Sequence, residues 1–259
     1  MISILTPVYN GENYLTAMLN SVTNQNAKFE HIIQDGGSTD NTIKLLNAKE
    51  WKHNLSVESE KDDGMYDALC KAFKRSKGDV IGWINADDVL LPDSLQKIEF
   101  IFRKNPQIDW ISSIPTTIIN NSYIPNSYMP SYSRTLIRLG FYSESLLGHI
   151  QQETCFFRRS LWEKAKPDSF LPKYKFAGDF ALWKEFSKHS KPTAIPLHLA
   201  GFRKHEDQLS ADVKAYTKEL NSIFKNVPKI KGGRFMGALI SVIKNSKREK
   251  LSYMNGSNL

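Results

Sequence analysis

Strand-like and helix-like stretches take turns from Met1 to Lys104, and that alternation limits the fold more than any other feature of the chain. Ile2 to Leu5 reads as a short buried strand ended by Pro7. EHIIQ (30–34), LSVES (55–59) and DVIGWI (79–84) read as three more strands. Between and after them, apolar residues fall at helical spacing: Leu15, Met18, Leu19 and Val22; Ile43 and Leu46; Met65, Leu69, Ala72 and Phe73; Leu95, Ile98, Ile101 and Phe102. Strands alternating with helices predict an α/β fold, a mostly parallel central sheet flanked by helices. In such sheets ligands bind at the carboxyl ends of the strands. TPVYN, DGGSTD, EKDDG and NADD all fall there.

The second half is less regular. Trp110 to Ile114 and Ile118 to Ile119 read as strands, and 194–203 as extended chain. SLWE (160–163) has the spacing of a capping box and is expected to start a helix. Phe180, Trp183 and Phe186 mark another helix, and Val213, Tyr216, Leu220, Ile223 and Phe224 a last one. Met129 to Leu147 carries no readable signal.

With 259 residues, 41% of them hydrophobic, the chain can bury one large core or two small ones. Cys70 and Cys155 are its two cysteines, which argues against a disulfide framework or a cysteine zinc site and fits a reducing cytoplasm. No basic leader precedes the first strand, and no apolar run approaches the length of a membrane span. The net charge of +8 sits almost wholly at the end: from Lys225 onward eight Lys or Arg face one acid, Glu249. The body is nearly neutral, which weighs against a nucleic-acid binder.

Two acids in sequence raise the question of chemistry. Asp87 and Asp88 end an apolar run side by side, and adjacent like charges either await a cation or lie in a solvated loop that caps the next helix. Asp179 opens the Phe180 helix and, on spacing alone, reads as an N-cap.

SILTPVYNGENYLTAMLNSVTNQ, EHIIQDGGSTDNT, DDGMYDALCKA, GDVIGWINADD, QQETCFFRRSLWEK and AGDFALWKEF, in that order, resemble the family-2 glycosyltransferases, nucleotide-sugar enzymes of the GT-A fold. The resemblance covers about residues 1–210. It implies a nucleotide-sugar half (1–105), an acceptor half (106–210) and a basic helical extension (211–259). It implies that Pro7, Tyr9, Asp35 and Asp62 bind the nucleotide and that Asp87 meets ribose or sugar. Asp88 is then the ligand of Mg²⁺ or Mn²⁺, with His205 completing the metal or diphosphate site. Gln152 and Glu153 fall on the acceptor stretch; Glu153 either contacts an acceptor hydroxyl or pairs with Arg158 or Arg159. Asp179 becomes the catalytic base. The chain departs from the family pattern at Gly36, where many members have a second acid, and at Gly178, where Glu is usual. Cys70 and Ala72 likewise stand where relatives often have Asn and Gly.

The implied activity is an inverting, metal-dependent transfer from a nucleoside diphosphate sugar, with a UDP-sugar favoured, to a hydroxyl of a glycan. The implied acceptor is lipid-linked, and the setting is surface polysaccharide assembly. The rival is a non-catalytic module that binds nucleotide-sugar, against which the presence of both Asp88 and Asp179 argues. A nicotinamide enzyme is excluded by the absence of a G-x-G-x-x-G turn. In the tail, Phe235 to Ile243 is a short apolar run between basic clusters. It is expected either to lie on an anionic membrane surface at the inner face of the cell membrane or to pack on the body.

Overall fold

The structure, a computed structural model, describes residues 1–48, 51, 54–143 and 146–225. Its first part runs β1 (Ile2–Val8), α1 (Leu15–Thr23), β2 (Phe29–Asp35), α2 (Thr42–Leu46), β3 (Leu55–Ser59), α3 (Met65–Arg75), β4 (Val80–Trp83), β5 (Val89–Leu90) and α4 (Ser94–Lys104). Next come β6 (Trp110–Ser112), β7 (Thr116–Ile119), β8 (Ser122–Pro125) and α5 (Arg134–Arg138). The last part runs β9 (Cys155–Arg158), α6 (Arg159–Ala165), α7 (Gly178–His189), β10 (Thr193–Ala194), β11 (Ala200–Arg203) and α8 (Val213–Phe224).

Seven strands form the central sheet in the order β10-β6-β9-β4-β1-β2-β3, and β5-β11-β7-β8 form a second, smaller one. β4, β1, β2 and β3 are mutually parallel, as the alternation predicts. β9 runs antiparallel between β4 and β6 and so joins the two halves of the chain. Side chains of β1 alternate between two cores. Ile2 and Ile4 pack with α1 and α4, through Leu15, Met18, Leu95 and Ile98. Leu5 faces α3, α6 and α7, through Leu69, Phe73, Trp162, Trp183 and Phe186. Every residue of β1, β2 and β4 is buried, and burial on both faces explains why β4 reads as a continuous apolar run.

Three local expectations change. Pro7 does not end β1, which continues to Val8 paired with β2. The ladder to β4 stops at Leu5, so beyond it a proline with no N–H has a strand on one side only. SLWE is not a capping box: α6 starts a residue earlier, at Arg159, with no side-chain cap. The Arg159 N–H is instead satisfied by the Asp79 carbonyl at 2.8 Å. The 194–203 stretch divides into β10 and β11, which belong to different sheets.

α8 packs on α7, with Leu220 and Ile223 against Ala177, Phe180 and Ala181. The apolar run 235–243 and its basic flanks lie outside the described residues. Among the described residues no helix is long and apolar enough to cross a membrane.

The β4–β9 seam is tight because Gly82 lies opposite Phe156. A Cβ at Gly82 would stand 2.3 Å from Phe156 Cε1. Gly82→Ala should therefore lower stability by about 1–3 kcal/mol through overpacking, read by thermal denaturation. An unchanged midpoint would mean that this seam yields freely.

Candidate active site

The loops after β1, β2, β3 and β4 gather at the carboxyl edge of the central sheet. The first two are bonded to each other. Asn10 N–H donates to Ser38 Oγ at 2.7 Å, Gly11 N–H to Thr42 Oγ1 at 2.8 Å, Thr39 N–H to Asn10 Oδ1 at 2.8 Å and Asn41 N–H to Glu12 Oε2 at 2.9 Å. Tyr9 projects from this rim, 63% exposed, whereas Pro7 is buried within β1.

Asp35 serves the loop itself. Its Oδ2 accepts the N–H groups of Gly37 and Ser38, each at 3.0 Å, and the Ser59 hydroxyl at 2.6 Å; its Oδ1 accepts the Ser38 hydroxyl at 2.5 Å. With no exposed surface and four donors it shapes the turn. Asp62 reaches the same place from the loop after β3. A Cβ at Gly36 would lie 2.8 Å from Asp62 Oδ2, so the space of the missing side chain is filled by that carboxylate. The second acid that DGGSTD lacks is thus supplied from position 62. Asp62 Oδ1 accepts the Gly64 N–H at 2.9 Å, and burial holds its pKa above the ordinary value.

Asp87 and Asp88 part company after β4. Asp88 turns inward with no exposed surface. Its Oδ1 accepts the Arg203 main-chain N–H at 2.9 Å, and its Oδ2 accepts from Gln152 Nε2 at 3.4 Å. Burial, with the charges of Asp87 and Glu153 adding, drives its pKa well above the carboxylate range. Asp87 stays partly exposed, its Oδ2 2.9 Å from His205 Nε2, while its carbonyl accepts Arg203 Nε–H at 2.9 Å. Asp88, the expected cation ligand, is thus turned inward and anchors β11 in this structure, while the partly exposed Asp87 and His205 stand beside it as a bonded pair.

Among the described residues no three His, Cys, Asp or Glu side chains gather closely enough to hold an ion alone. That suits a cation delivered on a diphosphate, since Mg²⁺-type ions take one or two protein ligands and leave the rest to phosphate and water. Asp87 offers a hard oxygen and His205 an imidazole whose Nδ1 is enclosed without a partner. The residues present fit such a group.

The residues expected on the acceptor side come from the turn before β9 and from α7. Glu153 is buried, both carboxyl oxygens lack a partner, and burial pushes its pKa up to about 8, with Asp87 and Asp179 adding. It pairs with neither Arg158 nor Arg159. Arg158 donates to the carbonyls of Ile108 and Phe102, and Arg159 to the Gly78 carbonyl and the Ser76 hydroxyl. Gln152 Oε1 is likewise enclosed and unbonded. Asp179 lies in the first turn of α7, whose N-cap is Ala177 with no capping side chain, so the plain N-cap reading does not apply. Asp179 keeps some exposed surface, but its Oδ1 is enclosed without a partner. Burial raises its pKa to about 7, with the charge of Glu219 adding. Glu153 lies within the field of both Asp87 and Asp179.

A Cβ at Gly178 would lie 2.7 Å from the Tyr66 ring, so the glycine that replaces the usual Glu makes room for Tyr66. The Tyr66 hydroxyl donates to the Phe176 carbonyl at 3.2 Å and accepts the Asp179 N–H at 3.3 Å. Sequence reasoning missed Tyr66 and Arg203. The partner of Arg203 lies 115 positions away, beyond any local pattern.

The family model for glycosyl transferase family 2 matches residues 3–164. The chain belongs to that family. Chondroitin synthase from Escherichia coli is 31% identical over 138 residues, which is 52% of this chain and 20% of that protein. The chain therefore spans about a fifth of that relative's length. S. aureus TarS 1–349 in complex with UDP-GlcNAc superposes with TM-score 0.64 at 19% identity, over 96% of this chain and 74% of that one. Mannosyltransferase PcManGT from Pyrobaculum calidifontis, in complex with GDP-Man and Mn²⁺, gives 0.63 at 15%, over 93% and 68%. At these identities the likeness is one of fold, the GT-A fold. The family-2 match ends before Asp179 and His205, so geometry alone brings those residues to the mouth.

The folded state keeps a proton on Glu153 that the unfolded chain releases above 4.5, so Glu153 weakens stability progressively as pH rises from 4.5 to about 8. Glu153→Gln should melt close to wild type near pH 4.5 and higher than wild type at pH 8. A chain of this size gains about 2–4 °C for each kcal/mol relieved. A melting difference that does not change with pH would show that Glu153 is ionised in the folded protein.

Proposed function

We propose that the chain is an inverting glycosyltransferase that moves a sugar from a nucleoside diphosphate sugar to a hydroxyl of a glycan acceptor. The observation that carries this reading is Asp179, a carboxylate poised near neutrality at the start of α7 with one enclosed, unpartnered oxygen, whose charge reaches Glu153 together with that of Asp87. One base on the acceptor side is what a single displacement with inversion needs. Asp179 takes the acceptor hydroxyl proton as the new bond forms. Tyr9 and Asp62 hold the nucleotide against the rim, while Glu153 and Gln152, buried with oxygens unused, line the acceptor side.

Asp87 and His205, not Asp88, would hold Mg²⁺ or Mn²⁺, which when bound supplies positive charge to the leaving diphosphate. The TarS complex with UDP-GlcNAc favours a UDP-sugar, and the mannosyltransferase complex favours a divalent ion. The similarity to a chondroitin synthase supports a setting in surface polysaccharide assembly. The eight bases from Lys225 onward favour a lipid-linked acceptor at the cytoplasmic membrane face, where each base near anionic headgroups contributes about 1 kcal/mol.

The test is a panel of UDP-, GDP- and dTDP-sugars followed by mass spectrometry, with and without EDTA. Binding of a sugar nucleotide with no turnover against any acceptor or water would leave a binding module and sink the enzyme. The rate should rise with pH through about 7, because Asp179 must be ionised to accept a proton. Asp179→Asn should keep donor affinity while losing about a hundredfold or more in rate; equal losses of affinity and rate would remove Asp179 from the base role. Asp87→Asn and His205→Ala should weaken Mn²⁺-dependent UDP binding in calorimetry with little change in melting temperature. Asp88→Ala should lower the melting temperature first. The reverse pattern would restore Asp88 as the ligand.

A further inference from the structure

α8 lies beyond the family match, yet one of its side chains holds the turn that leads into Asp179. Glu219 Oε1 accepts the Lys175 N–H at 2.8 Å, and its Oε2 accepts the N–H groups of Phe176 at 2.7 Å and Ala177 at 2.5 Å. Three consecutive main-chain donors thus converge on one carboxylate. On the other side of the same turn, the Tyr66 hydroxyl bonds the Phe176 carbonyl and the Asp179 N–H. Tyr66 comes that close because residue 178 is glycine. The turn is clamped between α3 and α8. Its position fixes where α7 begins and therefore where the Asp179 side chain points.

We propose that Glu219 is a positioning residue for the transfer reaction, setting the place of the Asp179 carboxylate by binding the three N–H groups ahead of it. The proposal rests on Asp179 being the base. Glu219 touches no reacting atom. A charge-assisted triple bond resists displacement far more than a neutral cap, and small misplacements of a catalytic group cost heavily in rate. The charged and titratable groups that face Asp179 are Glu219 from α8, Tyr66 from α3, Glu153 from the turn before β9 and the Cys155 thiol from β9 itself. Glu219 is therefore also a source of the field in which Asp179 ionises.

The experiment uses the full chain and the panel sugar nucleotide that wild type cleaves fastest, with UDP as the binding probe. Glu219→Gln keeps the length of the side chain but replaces one accepting oxygen with a donor. It should lower kcat by about 10- to 100-fold, leave UDP affinity unchanged, and move the acidic limb of the rate profile to lower pH. Glu219→Asp keeps the charge while drawing the carboxylate back, so it should lower kcat with the limb held nearer wild type. In an Asp179→Asn background, Glu219→Gln should cost nothing further. Hydrogen exchange at residues 175–177 should speed up in both variants. Folded Glu219→Gln with wild-type kcat and pH profile would overturn the proposal. So would an equal loss with Asp179 already removed, or a matching loss of UDP affinity. If Asp179→Asn itself keeps the wild-type rate, or wild type cleaves no member of the panel, the base assignment fails first and the positioning role goes with it.

Discussion

Burying a carboxylate without a partner forces it to keep its proton, and the mouth of this sheet is arranged around that cost. Four of the acids in it or just beneath it stand under different terms. Asp35 is bonded by four donors in its own turn. Asp88 is held by the Arg203 main chain and has burial against it. Glu153 has both carboxyl oxygens enclosed without a hydrogen-bond partner and only its own N–H favouring the charge, and Asp179 has one enclosed oxygen and some access to water. The graded environments separate acids that shape the fold from acids that can exchange a proton near neutral pH. Identical chemistry at the level of residue type therefore does different work within one small volume.

The antiparallel strand β9 lets the two halves share that volume. It enters between β4 and β6, bringing the Gln152–Glu153 turn to the end of β4 where Asp87 and Asp88 emerge. A parallel strand in that slot would have delivered its preceding turn to the opposite edge of the sheet. The second sheet makes the matching connection from below, because β11 pairs with both β5 and β7 and carries Arg203 and His205 to the same acids.

The sheet and helices of the first hundred residues were legible because buried parallel strands and one-sided helices leave different spacings of apolar residues. The motif loops were legible as a group. What the string of letters did not hold was direction. Asp87 and Asp88 are neighbours in sequence, yet one faces a histidine and the other faces a main chain. Gly36 read as a missing acid, although Asp62 fills the gap from another loop. The Tyr216, Leu220, Ile223 stripe announced α8, but the Glu219 beside it bonds only main-chain groups, which no pattern of side chains reveals. The irregular second half follows from strands of two to four residues whose partners lie far off in the chain.

The bonded rim of the first two loops has a consequence for how a nucleotide is met. Asn10, Gly11 and Glu12 are tied to Ser38, Thr39, Asn41 and Thr42 by hydrogen bonds in both directions. Loops of that length usually surrender conformational freedom when a ligand arrives, and the loss subtracts from affinity. Here the freedom is already gone before anything binds. Under the proposed function the nucleoside would meet a wall rather than a hand, since these loop-to-loop bonds are already made.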